Sequence, residues 1–197
     1  MMIHSVLVVN CSRDNDLLSV REFVWPIQRS LPVPSKAIPL RAFTEKSLQS
    51  FDAVILSGCQ LLDNDYLKYV KKISWLKNSE RPVLGVCAGQ QLVSLVYGGK
   101  VLDMKQPCVG VHSIVVRKNR AFLDGSLSTL NVYGLHSHTI TLPTGFASAA
   151  YSSLNPNEVI FHATRPVAGV SFHPEVLNKG LFPSFLTWAE DRLHSGK

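Results

Sequence analysis

Three short, nearly continuous apolar runs constrain what this 197-residue chain can fold into more than any other feature of its sequence. They lie at residues 5–10, 51–58 and 81–86. Runs of this length without polar alternation are typical of strands that are covered on both faces of a parallel sheet. Helical patterns follow the second and third runs, at about residues 63–78 and 88–98. The alternation predicts an open, mostly parallel α/β sheet with helices on both faces.

A different pattern begins after residue 100. Short runs rich in β-forming residues follow one another there, separated by turn signals. They cover residues 108–117, 130–141, 146–151, 158–163 and 167–172. We predict that most of them are antiparallel strands added at one side of the sheet, and that one returns to its middle. Because no linker, repeat or low-complexity tract interrupts the chain, we expect residues 1–197 to form a single domain, closed by a helix at 179–194.

The composition is that of an ordinary globular protein, with 46% hydrophobic and 17% charged residues. The longest apolar stretches are too short and too interrupted to span a membrane. Residues 1–10 lack the basic segment and the small-residue cleavage site of a signal peptide. We therefore expect a cytoplasmic protein with no membrane partner.

A formal net charge of +6 raises the question of nucleic-acid binding. The Lys and Arg residues are nevertheless spread along the chain, and their densest group, at residues 66–77, has helical spacing. Four apolar residues of that group are expected to face inward: Leu67, Val70, Ile73 and Leu76. The basic residues then form the solvated face of a helix. We expect no nucleic-acid ligand, while a basic surface that docks on an acidic partner stays open.

The cysteines and histidines do not form a metal-binding pattern. The four cysteines are Cys11, Cys59, Cys87 and Cys108. They are scattered and include no C-x-x-C pair, which argues against both a structural zinc site and a disulfide framework. A metal site would require His136 and His138 to recruit distant ligands. We therefore expect neither a metal nor another cofactor.

One cysteine stands between two glycines where a predicted strand meets a predicted helix. Gly85, Cys87 and Gly89 have the small-x-nucleophile-x-small form of a nucleophile elbow, a turn so sharp that flanking side chains would collide with the backbone. Such a turn presents Cys87 at the carboxyl edge of the sheet and at a helix N-terminus, which favours a thiolate. The alternative is that the glycines only permit tight packing around a buried thiol. This stretch alone leaves both interpretations open.

The end of the last predicted strand bears on that choice. His173, Pro174 and Glu175 follow this apolar run, and proline disfavours helical geometry at the residue before it. In an extended chain, residues i and i+2 point to the same side. Glu175 could therefore accept the Nδ1–H of His173 and leave Nε2 free to face a nucleophile. A surface His and Glu at a strand end is the alternative for the tripeptide alone.

Together these residues resemble a known enzyme family. "GVCAGQQL" is similar to the G-x-C-x-G-x-Q signature of class I glutamine amidotransferases, and "FHPE" to their His-x-Glu signature. "AVILSG", "YGGKV", "LPTGF" and "GVSFHPEV" resemble the same family in the same order. The resemblance covers roughly residues 51–190 and implies a flavodoxin-like fold. Within the family, the chain is most similar to the glutaminase domain or subunit of GMP synthetase, an enzyme of purine nucleotide biosynthesis.

The resemblance implies a catalytic role for three residues. Cys87 would be the nucleophile, His173 the general base and then acid, and Glu175 the residue that orients His173. Cys87 would attack the side-chain amide of L-glutamine, expel ammonia and form a γ-glutamyl thioester, which water then hydrolyses to glutamate.

The resemblance also implies groups that hold the substrate. Backbone N–H groups of Ala88 and of the Gly58–Cys59 loop would form the oxyanion hole. The side chains that would contact glutamine are Gln91, His136, Ser137 and His138. For His136 and His138, a surface or structural role remains an alternative.

The chain departs from the family pattern in the loop that would form the oxyanion hole. Where the family usually has S-G-G-P, this chain has Ser57-Gly58-Cys59-Gln60. If the backbone at Cys59 had a positive φ, its Cβ would cost about 1 kcal/mol or more. Ser171 stands where the family often has Gln, and an expected Asp is absent after His138.

We therefore expect a glutaminase that delivers ammonia to a separate synthetase subunit, because this chain has no room for an ATP-using synthetase domain. Two alternatives stay open. The first is a stand-alone hydrolase of γ-glutamyl amides. The second is a catalytically silent, amidotransferase-like regulatory or binding protein, for which the altered residues at Cys59 and Gln60 are the argument.

Overall fold

The structure is a computed structural model that describes residues 2–13, 17–118 and 121–195. Across these ranges, nine strands form one sheet in the order β2-β1-β3-β4-β9-β8-β7-β5-β6. In chain order the strands are β1 Val6–Asn10, β2 Ser35–Pro39, β3 Ala53–Leu56, β4 Val83–Val86, β5 Val101–Val116, β6 Thr129–Ile140, β7 Phe146–Tyr151, β8 Val159–His162 and β9 Val167–Val170.

Five of these strands form a parallel half-sheet. β1 pairs in parallel with β2 and β3, β3 with β4, and β4 with β9. Every residue of β1, β3, β4 and β9 is buried, as expected for strands that are covered on both faces. The parallel sheet predicted from the apolar runs is thereby confirmed, and so is the late strand that returns to its middle.

The remaining strands extend the sheet in antiparallel fashion from β9 through β8 and β7 to the hairpin of β5 and β6. The antiparallel addition predicted for the second half of the chain is confirmed. β5 begins at Val101 rather than near residue 108, because the ladder resumes after a register shift between Asp103 and Cys108. The bulge re-aims the strand, and Cys108 then pairs with His136.

The helices lie on both faces of the sheet. The α-helices are α1 Leu17–Ser19, α2 Trp25–Ser30, α3 Ala88–Val96, α4 Pro174–Leu177 and α5 Leu181–Ser195. One wide π-helical turn, Val20–Val24, joins α1 to α2. Three segments are 3₁₀-helices: Leu40–Ala42, Glu45–Leu48 and Asp65–Asn78.

The segment predicted as a helix at about residues 63–78 is the third of these 3₁₀-helices. The expectation that Leu67 faces inward is wrong, since its side chain is 36% exposed. Tyr66 is buried at the start of the helix instead, because its hydroxyl donates a hydrogen bond to Gln91 of α3. Ile73 and Leu76 are fully buried, as predicted.

Two apolar cores enclose the sheet. Along β1, Val6 and Val8 belong to one core and Leu7 and Val9 to the other, which follows from the alternation of side chains along a strand. The first core is completed by α5 and the second by α3 and the long 3₁₀-helix. In the described parts of the chain, no helix is both long and apolar enough to cross a membrane.

Candidate active site

Cys87 occupies a strained turn between β4 and α3. Its backbone has φ 49° and ψ −104°, a conformation that costs a non-glycine residue about 1–3 kcal/mol. The Cys87 N–H donates a hydrogen bond to the Val170 carbonyl at 2.8 Å, which ties the turn to the end of β9. Strain that is held in place by the surrounding structure is typical of functional positions.

The flanking glycines are required by close backbone contacts. A Cβ at Gly85 would stand 2.4 Å from the Gly89 carbonyl, and a Cβ at Gly89 would stand 2.3 Å from the Leu56 carbonyl oxygen. Neither position can therefore hold a side chain without a backbone shift. The sharp turn predicted from the sequence is present, with Cys87 at its apex.

His173 and Glu175 meet at the end of the neighbouring strand. The Nδ1 atom of His173 lies 2.7 Å from Oε1 of Glu175, and both residues are at most 2% exposed. The backbone N–H of His173 donates to the Tyr133 carbonyl at 2.8 Å, which fixes the position of the histidine. The extended geometry predicted through Glu175 is wrong, because Pro174 begins the short helix α4 and Glu175 lies in its first turn. Proline is favoured at that first helical position, and the expected contact forms all the same.

The other ring nitrogen of His173 is directed away from Glu175 and has no hydrogen-bond partner among the described residues, although it is buried. Gly58 lies beside both reactive groups. A Cβ at Gly58 would stand 2.4 Å from Cε1 of His173 and 3.3 Å from Cβ of Cys87. The imidazole and the cysteine therefore border the same small space. At rest, the Cys87 thiol donates a weak hydrogen bond to the Leu135 carbonyl at 3.6 Å.

The two groups stabilise each other as an ion pair. Burial alone would raise the pKa of the Cys87 thiol, but the attraction and hydrogen bonding of His173 outweigh burial and hold that pKa below its ordinary value. Burial alone would lower the pKa of His173, but the charges of Glu175 and Cys87 raise it well above its ordinary value. The arrangement therefore favours a thiolate beside an imidazolium, which is an activated nucleophile.

A cavity of about 210 Å³ opens onto Cys87. The predicted oxyanion-loop residue Cys59 and the predicted Ala88 both line it. It is also lined by all four side chains predicted to contact a substrate, which are Gln91, His136, Ser137 and His138. The structure therefore brings the predicted binding residues to one place.

These side chains are held by contacts with one another and with the backbone. His136 Nδ1 lies 2.9 Å from the His138 carbonyl, while its buried Nε2 has no hydrogen-bond partner among the described residues. The Ser137 hydroxyl lies 3.1 Å from His138 Nδ1, and His138 Nε2 forms an ion pair with Asp103 at 3.1 Å. The free Nε2 of His136 is thus the polar atom of this group best placed to bind a ligand.

The sequence did not single out Tyr66. Its hydroxyl donates to Oε1 of Gln91 at the wall of the cavity and fixes the amide of Gln91. The residue stands in a 3₁₀-helix 25 positions before its partner. No local pattern marks it, since a tyrosine in a helical segment usually packs in a core.

The loop that departs from the family pattern is free of backbone strain at Cys59. Among the described residues other than glycine, only Cys87 and Ala121 have a positive φ. The cost considered for a side chain at Cys59 is therefore absent. The Cys59 thiol donates to the Asp63 carbonyl at 3.3 Å, and burial raises its pKa well above the ordinary value, so Cys59 stays neutral. Ala88 begins α3, where the first N–H groups have no acceptor within the helix.

Within the described ranges, no group of three or more His, Cys, Asp or Glu side chains is placed to hold a metal ion. The chemistry that the geometry offers is nucleophilic attack by Cys87, with proton transfer by His173.

Comparison with known proteins identifies the class. The family model for glutamine amidotransferase class I matches residues 18–187, and the chain belongs to this family. It is 30% identical to the glutamine-hydrolysing subunit of GMP synthase from Thermoplasma acidophilum, over 77% of this chain and 76% of that protein. It is 34% identical to the protein of the same name from Methanococcus maripaludis, over 79% of this chain and 83% of that protein.

Two solved structures share the fold. One, from Thermoplasma acidophilum, superposes with a TM-score of 0.84 at 24% identity and covers 99% of this chain and 98% of its own. The other, a glutamine amidotransferase from Thermotoga maritima, has a TM-score of 0.69 at 21% identity and covers 98% of this chain and 84% of its own. At these identities the likeness concerns the fold.

Proposed function

We propose that this protein is a glutaminase subunit that hydrolyses the side-chain amide of L-glutamine and supplies the ammonia to a separate synthetase subunit. The observation that carries the proposal is the Cys87–His173–Glu175 arrangement on a nucleophile elbow, in a member of the class I glutamine amidotransferase family. Its relatives are named as glutamine-hydrolysing subunits, which supports both the substrate and the division of labour.

The first half of the reaction forms a thioester. The Cys87 thiolate attacks the amide carbon of glutamine, and a C–S bond forms. As the tetrahedral intermediate collapses, the C–N bond breaks and the leaving nitrogen takes the proton from Nε2 of His173, so that ammonia departs. Glu175 keeps Nδ1 protonated and the ring oriented throughout.

The second half regenerates the enzyme. A water molecule loses a proton to Nε2 of His173 and attacks the thioester carbonyl. The C–S bond breaks, glutamate leaves, and the thiolate–imidazolium pair is restored.

The developing negative charge needs N–H donors that are fixed in advance. We assign this role to the backbone of Ala88, at the start of α3, and to the loop at Gly58 and Cys59. One such donor is worth about 10²–10³ in rate. The absence of a positive φ at Cys59 supports a normal loop in spite of its unusual residue.

We assign substrate binding to Gln91, His136, Ser137 and His138, with Tyr66 as a positioning residue for Gln91. The unpartnered Nε2 of His136 is suited to a carboxylate or amide oxygen of glutamine. Ser137 and His138 line the same wall.

The names of the relatives favour a GMP-synthetase type of partner. Free ammonia is mostly protonated near neutral pH and then cannot act as a nucleophile, so delivery to a docked synthetase is chemically advantageous. The cytoplasmic location and the single domain expected from the sequence stay predictions.

Labelling with a glutamine-mimicking chloroketone tests the proposal, with intact mass and peptide mapping as the readout. An adduct on Cys87 that glutamine protects against is expected, and Cys87→Ala should abolish it. Cys11→Ser, which changes a buried thiol outside the cavity, is the matched control and should label normally. Absence of any adduct on Cys87, with and without a synthetase partner, would indicate the silent alternative.

Steady-state glutamine hydrolysis separates the two enzymatic alternatives. Stimulation by an added GMP-type synthetase subunit is expected for the proposed role. Full turnover of the isolated chain that no synthetase changes would favour a stand-alone hydrolase.

A further inference from the structure

A second cysteine–histidine–carboxylate set lies outside the proposed catalytic residues. The Cys108 sulfur is 3.4 Å from Nδ1 of His112, and Nε2 of His112 is 3.1 Å from Oε1 of Glu158. The order resembles that of Cys87, His173 and Glu175, with the two ring nitrogens exchanged. The proposed glutaminase reaction has no use for this set.

Glu158 is built to carry a charge. Its side chain is fully buried, and the hydroxyls of Ser152 and Ser171 both donate to its oxygens. Burial would raise the pKa of Glu158, but the hydrogen bonds from His112 and the two serines outweigh burial and hold it below its ordinary value. A buried carboxylate with these donors requires a cationic partner, and His112 is placed to be that partner.

The backbone around Cys108 leaves room for the sulfur. A Cβ at Gly134 on β6 would stand 2.4 Å from the Cys108 sulfur and 3.1 Å from Cε1 of His112. Cys108 is itself only 4% exposed, but residues 105–107 and Val109 on both sides of it are exposed. One layer of a bulged strand therefore separates the sulfur from solvent, and a small reagent has a short path to it.

The electrostatics distinguish this thiol from the two other cysteines outside the catalytic residues. The titratable groups that face Cys108 are His112 on its own strand and His136 on β6. Burial would raise the pKa of Cys108, but hydrogen bonding to these histidines outweighs burial and lowers it to about 7. The same contact, with Glu158, raises the pKa of His112 to about 10. Burial raises the pKa of Cys11 and of Cys59 above the ordinary thiol value.

We propose that Cys108 is a second activated thiol and a modification site for small peroxides, held reactive by His112 and Glu158. The thiolate attacks one oxygen of the peroxide, so that an S–O bond forms and the O–O bond breaks. The sulfur is oxidised by two electrons to a sulfenic acid, and the peroxide is reduced. The departing hydroxide takes the proton of the His112 imidazolium and leaves as water.

Alkylation of the full chain carrying Cys87→Ala tests the activated thiol, because that variant removes the competing nucleophile. The chain is treated with iodoacetamide at a series of pH values and mapped by mass spectrometry. Cys108 should label with a midpoint near pH 7, while Cys11 and Cys59 in the same sample stay unlabelled. Labelling of Cys108 no faster than that of Cys11 would overturn the proposal.

A change at His112 tests the origin of the reactivity. His112→Gln should move the Cys108 midpoint upward, toward the value of an ordinary thiol. His162→Gln, on the neighbouring strand β8 and without a cysteine contact, is the matched control and should leave the midpoint in place. An unmoved midpoint in folded His112→Gln would contradict the proposal, and the profile of the Cys87→Ala chain tests it even if His112→Gln misfolds.

Peroxide supplies the last step of the test. Treatment of the Cys87→Ala chain with hydrogen peroxide and the sulfenic-acid trap dimedone should give an adduct on Cys108, which Cys108→Ser removes. A chain whose Cys108 alkylates readily but never yields the dimedone adduct would overturn the assignment to peroxides.

Discussion

Gly58 and His173 are in contact through the bare Cα of the glycine: an added Cβ would stand 2.4 Å from Cε1 of the imidazole. This distance is shorter than any real Cβ contact. The sequence motif around Cys87 and the loop after β3 are therefore coupled through the ring that would carry the proton. The loop does more than supply N–H donors, because it also sets the position of His173.

Gly58→Ala should abolish most glutamine hydrolysis, because the methyl group displaces the His173 ring from Cys87. We expect a loss of at least about 10²-fold in kcat, the usual contribution of a positioned acid–base group. Gly180→Ala is the matched control, since an added Cβ there meets nothing within 4 Å. Steady-state assays of the two folded variants measure the difference. Similar activity in both would show that the loop adjusts without moving the histidine.

Glu175→Gln should keep the fold and lose turnover, because the amide matches the carboxylate in shape but not in charge. His173 then loses the charge that, after the effect of burial, does most to raise its pKa. We expect a loss on the order of 10²–10⁴-fold in kcat. Circular dichroism checks the fold, and glutaminase assays measure the rate. Glu190→Gln, on α5 away from the cavity, should retain full turnover.

The pH dependence of Cys87 alkylation follows from its lowered pKa. The thiolate is present at neutral pH and disappears only as the pH falls through the folded-state pKa, which lies below the ordinary thiol value. The labelling rate of Cys87 should therefore reach half its maximum at a lower pH than that of a free cysteine. His173→Ala should move this midpoint upward, since burial then acts without an opposing cation. A midpoint that the substitution leaves unchanged would contradict the ion pair.

Tyr66→Phe tests whether the amide of Gln91 needs its hydroxyl partner. Removal of the donor leaves a buried oxygen unsatisfied, which costs about 1–3 kcal/mol. We expect a several-fold higher KM for glutamine with a smaller change in kcat. Tyr97→Phe removes a comparable hydroxyl, which donates to the Leu76 carbonyl at 2.9 Å outside the cavity. It should cost stability without a change in KM, and an equal KM for both variants would argue against the role of Tyr66.

Local patterns predicted the parts of the protein that local physics determines. The apolar runs predicted β1, β3 and β4, because a strand covered on both faces has no polar alternation. Cys87 and His173 were found because each follows directly on such a run, where turn glycines and proline restrict the backbone.

Features that depend on the pairing of distant segments could not be predicted in this way. Cys108 and His112 are four residues apart, but Glu158 lies 46 positions beyond His112 and reaches it only through the folded sheet. The backbone angle at Cys59 was equally out of reach, because a cysteine in place of glycine fits either a strained loop or a relaxed one. Only the structure distinguishes the two.

The charge of Glu158 predicts how stability changes with acid. Because its pKa is held below the ordinary value in the folded chain, the carboxylate contributes stability above its unfolded pKa, and this is lost as the pH falls through the folded value. Glu158→Gln leaves the His112 imidazolium without its buried partner and should lower the free energy of unfolding at neutral pH by about 3–5 kcal/mol. Urea unfolding at neutral and at acidic pH measures both effects. The variant should show a smaller loss on acidification than the parent chain, and an equal loss in both would mean that Glu158 carries no charge in the folded protein.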